Sequence, residues 1–255
     1  MTIVKPEDYD KLREAGRINA QILATLREII RPGMRTIELD EIACGLLHQY
    51  GAESAFLNYA FPGGKHPYPG HINVSVNEEL VHGIPGKRRL NKGDVVTLDC
   101  GTNYQGLIAD SAITVTLGPV PDSVKRLIHA TEEALEIAIQ LVKPGRKLGD
   151  ISFAIQLTLE KYRVRIPPQF GGHGVGYKLH TSPHISNWGK PNTGDSLEVG
   201  MALAIEPMGM LGSPNTKLMR DHWTVVTVDK SVCAHTEHSI LVLERGAEVL
   251  TRLPR

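Results

Sequence analysis

The sequence offers no long apolar run, no cysteine framework and no excess of charge of either sign. No apolar run approaches the ~18 residues that a membrane span requires, so no membrane partner is expected. Cysteine occurs only at Cys44, Cys100 and Cys233. An odd number without framework spacing argues against a disulfide scaffold and for a reducing compartment. The stretch from Met1 to Ala20 is charged throughout and lacks the apolar core of a signal peptide, which points to the cytoplasm. Lys plus Arg number 28 and so do Asp plus Glu, so no global field draws the chain to nucleic acid or an anionic membrane. No basic stripe with interleaved aromatics occurs, and sequence-specific nucleic-acid binding is not expected. Glycine- and serine-rich linkers and low-complexity tracts are also missing, so nothing hinges the chain into independent domains.

What is present is core-forming sequence, with 41% of 255 residues hydrophobic. That suffices for one large domain or two closely packed halves. Over residues 11–30, Leu12, Ala15, Ile18, Ile22, Leu26 and Ile29 recur at steps of three and four, the signature of one helix face. Pro32 and Gly33 stop that helix. Thr36 is placed to cap a second one, with Leu39, Ile42, Ala43, Leu46, Leu47 and Tyr50 as its buried stripe and Gly51 as its end. The arrangement returns with Val124, Leu127, Ile128, Leu135, Ala138 and Val142 before Pro144-Gly145. A further stripe follows at Ile151, Ala154, Ile155, Leu157 or Thr158, and Tyr162. Superposing Pro32 on Pro144, an offset of 112 residues, also places Arg35 on Lys147, Glu38 on Asp150 and Leu39 on Ile151. One α+β domain over 1–255 is expected, built from related halves of about 1–120 and 121–255. Chance likeness of two helix joints is the competing reading.

Strand-like segments rich in Val, Ile and Thr lie at 94–100, 107–117, 201–206, 223–228 and 236–243. Residues 61–71, with three prolines and three glycines, read as an ordered surface loop whose His66 and His71 are solvated.

Two of these segments carry aspartates. If the turn between them is centred between Tyr104 and Gln105, Asp99 and Asp110 face each other with Cβ atoms ~5 Å apart. Ionised carboxylates so close repel, and a shared cation resolves the repulsion; a solvent-exposed Asp in a turn is the alternative. Three further segments add to the pair. His173 sits among glycines in Gly171-Gly172-His173-Gly174. Glu206 ends the apolar run 202–205, and Glu237 precedes the apolar run 239–242. Glutamate is depleted in strands and rarely buried without a partner. Four carboxylates and one imidazole beside apolar strands suit a pair of divalent first-row ions.

The order Asp99, Asp110, His173, Glu206, Glu237 resembles the metal ligands of the methionine aminopeptidases and their wider pita-bread superfamily. Flanking words match as well: Val81-His82-Gly83-Ile84-Pro85, Leu98-Asp99-Cys100-Gly101, Gly172-His173-Gly174-Val175-Gly176, Ile205-Glu206-Pro207-Met208 and Thr236-Glu237-His238-Ser239. The resemblance implies a pseudo-two-fold α+β pita-bread fold with an antiparallel sheet and flanking helices. It also implies two divalent ions, manganese, iron, cobalt or zinc. Asp99 would bind one ion, Asp110 and Glu237 would bridge both, and His173 and Glu206 would complete the second. It further implies proton transfer by Glu206, contact of His180 with the scissile bond, and contact of His82 with the substrate backbone. Tyr59, Phe61 and Trp223 would line an apolar slot for the first side chain. Residues 61–70 depart from the family pattern, and two positions where cysteine is common are here Phe56 and Asn73.

The implied reaction is removal of the first methionine from nascent polypeptides whose second residue is small, by a monomer in transient contact with the ribosome. The absence of a long insertion between His180 and Glu206 resembles the type I subgroup. Two rivals stand beside it. An Xaa-Pro peptidase of prolidase type uses a similar ligand set but generally carries a substantial N-terminal domain. A pita-bread protein that only binds partners characteristically loses ligands, whereas all five are present here.

Overall fold

The structure, a computed structural model, describes residues 3–61 and 64–252. Pro62 and Gly63, inside the expected surface loop, lie outside them, as do the extreme termini. After a 3-10 turn at Pro6–Asp8 come helices α1 (Tyr9–Ile29) and α2 (Thr36–Gln49). Strands β1 (Glu53–Ser54), β2 (Asn73–Val76), β3 (Glu79–Val81), β4 (Val95–Tyr104) and β5 (Leu107–Thr116) follow. A second helix pair, α3 (Asp122–Leu141) and α4 (Leu148–Lys161), leads to β6 (Gly171–Gly174), β7 (Thr181–Ser186), β8 (Ala202–Ile205) and β9 (Met208–Met210). The chain closes with β10 (Thr216–Leu218), β11 (Val225–Thr227), β12 (Cys233–His235), β13 (His238–Leu243) and β14 (Gly246–Val249).

Both helix pairs bury the faces that their periodicity marks. Leu12, Ala15, Ile18, Ile22 and Leu26 of α1 are buried, as are Leu39, Ala43 and Leu47 of α2. Each fully buried Leu or Ile contributes about 1.5–3 kcal/mol, so these stripes fix how the helices lie. On α4 the sequence left two residues open for one position; Thr158 is buried and Leu157 is 50% exposed. α2 and α4 have 14 residues each. Thr36 does not cap α2 as expected. Arg35 is the N-cap residue, its N–H donating to the Glu38 carboxylate at 2.7 Å. The Thr36 hydroxyl instead accepts from the Gly86 amide at 2.8 Å, tying the helix start to a neighbouring loop.

Every strand pair is antiparallel. One sheet has β4 at its centre, with β5 on one side and β2 and β1 on the other. A second runs β14-β13-β8-β6-β7. α1 lies across β4 and β5, while α3 and α4 cover the second sheet. The sheets meet where Ala112 of β5 bridges Glu237, whose N–H donates to the Ala112 carbonyl at 3.0 Å. Two residues along, the Ser239 hydroxyl takes the Asp110 N–H and donates to the Asp110 carbonyl, both at 2.8 Å. Buried Asn19 of α1 secures the same hairpin from behind, donating to the Cys100 and Ala109 carbonyls and accepting from Ser111. No described helix is long and apolar enough to cross a membrane.

Glycine is required where the second sheet is tightest. A Cβ on Gly172 would lie 2.2 Å from the Ala204 carbonyl oxygen, whereas one on Gly45 of α2 would meet nothing within 4 Å. Gly172→Ala is therefore expected to cost about 2–3 kcal/mol through overpacking. Gly45→Ala should add about 0.4–1 kcal/mol by reducing unfolded-chain entropy. Urea midpoints of the two variants check both signs; a neutral Gly172→Ala would contradict this packing.

Candidate active site

Strand register gathers the five residues singled out from the sequence. In β4 and β5, Asp99 pairs with Ala112 and Gly101 with Asp110. The turn is centred between Gln105 and Gly106, one residue beyond the expected centre, so the aspartates are diagonal rather than directly opposed. A shift of two in pairing keeps both on one face. Gly106, at φ +86°, and Gln105, at φ +50°, explain the position, because the turn needs two left-handed residues. Glu237 joins that face through its bridge to Ala112. Glu206 and Glu237 are the next residues past the His238–Ile205 pair, and His173 pairs with Ala204 two residues before Glu206. Four carboxylates and an imidazole thus share one face at the seam between the sheets.

All five side chains are buried. His173 Nε2 lies 3.6 Å from Glu206 Oε1 and 4.0 Å from Asp110 Oδ2. Its Nδ1–H donates to the Gly174 carbonyl at 3.0 Å, which turns an unprotonated Nε2 toward the carboxylates. Among the described residues, the basic groups within 4 Å of Asp110, Glu206 and Glu237 are histidines alone. Burial pushes the Asp99 carboxyl up to about 6 and that of Glu206 up to about 7. Burial, reinforced by neighbouring carboxylates, holds Asp110 and Glu237 well above the ordinary range. One oxygen each of Asp99, Asp110 and Glu237 is buried with no hydrogen-bond partner, a costly state for such groups. Donor atoms of Asp99, His235 and Glu237 lie within 4.8 Å of one another, and so do those of Asp110, His173 and Glu237. Hard oxygens with an imidazole in each trio, and orphaned acceptors aimed inward, fit divalent cations.

A cavity with an aromatic wall opens onto this centre. Phe61 stacks on Trp223 with ring centres 5.2 Å apart, and Tyr68 meets the same indole edge-on at 5.2 Å. Phe56, Leu179 and Tyr59 complete the apolar wall. The Trp223 Nε1–H donates to the His66 carbonyl at 3.0 Å, fixing the indole plane. His180 and His82 stand between the slot and the carboxylates. The His180 ring is 4.3 Å from that of His173, and its Nδ1 is 2.9 Å from the Tyr59 hydroxyl. Burial, with neighbouring imidazoles, depresses His180 to about 2 and His82 to about 4, so both are neutral near pH 7. His82 has φ +59°, a left-handed conformation that costs a non-glycine residue free energy and tends to persist at functional sites. A groove lined by Gln169, Phe170, His184 and Met208 shares Tyr59, Phe61, His82, His173, His180 and Glu206 with the slot and opens from it.

Sequence reasoning assigned no role to four residues here. Asn73 pairs with Asp99 across β2 and β4, and its amide donates to Asp99 Oδ2 at 2.6 Å. His235 places Nε2 3.4 Å from Glu206 and 3.6 Å from Glu237. Tyr68 is buried from within the supposed surface loop, its hydroxyl donating to the Ile72 or Gly83 carbonyl. Asn187 holds the Glu206 carbonyl at 2.9 Å. Only His235 carried a signal, lying two residues before a predicted ligand in a strand. Of the loop histidines expected to be solvated, His66 is exposed and His71 is half-buried. His71 Nδ1 is 3.0 Å from Asp40, and the His66 ring stacks on His222 at 3.9 Å. Cys100 is fully buried with its thiol pushed up by burial, as a packed residue rather than a nucleophile.

Comparison with known proteins agrees over nearly the whole chain. Metallopeptidase family M24 matches residues 10–244. Methionine aminopeptidase 1 of Bacillus subtilis is 45% identical over 97% of this chain and 98% of its own. The methionine aminopeptidase of Mycoplasma capricolum is 41% identical, with 100% of both chains covered. The crystal structure of methionine aminopeptidase from Thermotoga maritima superposes with a TM-score of 0.94 at 41% identity, covering 99% of this chain and 100% of that one. Prolidase from Pyrococcus furiosus, at 22% identity and TM-score 0.79 over 99% of this chain and 66% of its own, shares the fold.

The raised carboxyls make a linked prediction. A group whose folded pKa lies above its unfolded value binds more protons when folded, so its stabilising effect is lost as pH rises through the folded pKa. For Asp99 and Glu206 that loss falls between about pH 4 and pH 7. Cation-stripped protein is expected to melt at progressively lower temperature across this range, and Mn(II) should abolish the trend. A melting temperature of stripped protein that rises steadily from pH 5 to 7.5 would contradict the buried-carboxyl account.

Proposed function

The chain belongs to metallopeptidase family M24, and on that premise we propose that it is a metal-dependent methionine aminopeptidase, hydrolysing the first peptide bond of polypeptides that begin with methionine. One juxtaposition carries the reading. A buried cluster of cation-binding side chains shares a cavity with an aromatic wall whose chemistry suits an unbranched thioether. The prolidase likeness extends to the fold alone, and no observation favours an Xaa-Pro peptidase.

Asp99, Asp110, His173, Glu206 and Glu237 would hold two divalent ions, drawn from manganese, iron, cobalt or zinc. Bound there, divalent cations supply the positive charge that makes water acidic near neutral pH and polarises a carbonyl. The remaining work falls to the chain. Glu206 accepts the proton of the attacking water and delivers it to the departing amine. His180 Nδ1 lies 2.9 Å from the Tyr59 hydroxyl; in the tautomer in which Nδ1 accepts from that hydroxyl, Nε2–H donates to the scissile carbonyl or its nitrogen. His82 hydrogen-bonds the substrate backbone beyond that bond. Phe61 and Trp223 grip the methionine side chain, and Phe56 and Tyr68 close the slot behind it. The free α-amine is recognised at the carboxylate cluster, which restricts cleavage to the first residue.

We further read the chain as one catalytic domain of two related halves, about 1–120 and 121–255. Helices of equal length, with starts 112 residues apart, support this. Three free cysteines accord with a reducing, cytoplasmic setting. Nascent chains with a small second residue are the proposed substrates, and a monomer is the proposed state.

The reading is tested by methionine release from a Met-Ala-Ser peptide, with a peptide beginning Ala-Pro and the Asp110→Asn variant as controls. Methionine release is expected to fall about 10²- to 10³-fold in the variant, the several kcal/mol that cation catalysis supplies. Cleavage of the Ala-Pro peptide alone would overturn the assignment.

A further inference from the structure

Outside the five ligands discussed, the most anomalous side chain in the molecule is His235. Both of its ring nitrogens are buried without a hydrogen-bond partner, a rare state for an imidazole in a folded interior. The backbone leaves the ring little freedom to find one. His235 ends β12, paired with Met208 of β9; its N–H donates to the Thr114 hydroxyl at 3.1 Å and its carbonyl accepts from that hydroxyl at 2.7 Å. So fixed, Nε2 stands 3.4 Å from Glu206 Oε2 and 3.6 Å from Glu237 Oε2. These separations exceed those of good hydrogen bonds. The separation from Glu237, which serves both positions, is close to the ~3.4 Å between neighbouring donors of a tetrahedral cation that each contacts at about 2.1 Å.

The wider geometry has the same form. Asp99, His235 and Glu237 bring donors within 4.8 Å of one another, and Asp110, His173 and Glu237 do likewise. Each trio contains one aspartate and one imidazole, and Glu237 belongs to both. We propose that His235 is a sixth donor of the cation centre, serving the position beside Asp99 as His173 serves the position beside Asp110. This inference rests on the divalent-cation reading of the centre and changes what that centre accepts. A position built from carboxylates alone suits hard ions, whereas an imidazole at both positions tilts the pair toward cobalt, iron or zinc.

The experiment uses intact protein with ¹⁵N-labelled histidine, stripped of cations and loaded with Mn(II), read by pulsed electron paramagnetic resonance. Wild type is expected to show coupling to two inequivalent imidazoles. His173→Ala should retain one of them, and His173→Ala combined with His235→Gln should retain none. His235→Gln alone should weaken Mn(II) binding by about 10- to 100-fold or more, since loss of even an outer partner of a ligand costs that much. A single coupled imidazole in wild type, its disappearance in His173→Ala, or its survival in the double variant would overturn the proposal while leaving the cation centre intact. Wild type that binds no Mn(II) would instead overturn the centre itself. Because the wild-type count decides by itself, misfolding of a variant does not spare the proposal.

Discussion

Four carboxyl groups face one another where two antiparallel sheets are knitted together, and nearly everything else in the molecule either brings them there or answers their repulsion. Asp99, Asp110, Glu206 and Glu237 come from four segments of the chain and are all buried. Burial raises the free energy of each ionised carboxyl, and neighbouring carboxylates add to that cost at Asp99, Asp110 and Glu237. A chain with no use for a cation would relieve such a cluster with one lysine or arginine. Here the nearby basic groups are imidazoles, which bind protons weakly when buried and offer lone pairs instead.

The scaffold is built to hold that arrangement against its own repulsion. The Asp110 backbone is clamped by Ser239, the Glu237 backbone by Ala112, and the hairpin behind them by Asn19. Helices cover each sheet on the side away from the site, so the strands near the centre are buried on both faces. Gly172 lets β6 approach β8 closely enough for His173 to reach Glu206. Next to this polar seam lie the buried rings of Phe56, Tyr68 and Trp223, an apolar neighbourhood that strengthens the electrostatics of the cluster.

The five proposed ligands stood out in the sequence because they break local rules: aspartates inside strands, glutamates ending apolar runs, a histidine among glycines. The helices were legible from period alone, and four of the five expected strand regions needed only small adjustments at their ends. The hairpin register was displaced by two because the turn follows the left-handed backbone at Gln105 and Gly106, and only Gly106 advertises that preference. β6 and β7 carry Gly and Pro in place of the usual strand formers, so composition concealed them. Asn73 looks like an ordinary polar residue on a strand, and its tie to Asp99 exists only through cross-strand pairing; His235 was marked only by its place two residues before Glu237. Tyr68 was hidden differently, being a core residue inside a proline- and glycine-rich loop.

The most direct test of the carboxylate seam is calorimetric titration of the stripped chain with Mn(II) at pH 6, repeated in buffers of different ionisation enthalpy. The difference between buffers counts the protons released per chain as the cation displaces them. If buried carboxyls are held protonated until a cation arrives, release of at least about one proton per chain is expected at pH 6, declining as pH rises past 7. Binding that releases no protons at pH 6 would mean the carboxyls are already ionised and compensated, and the central claim would fail.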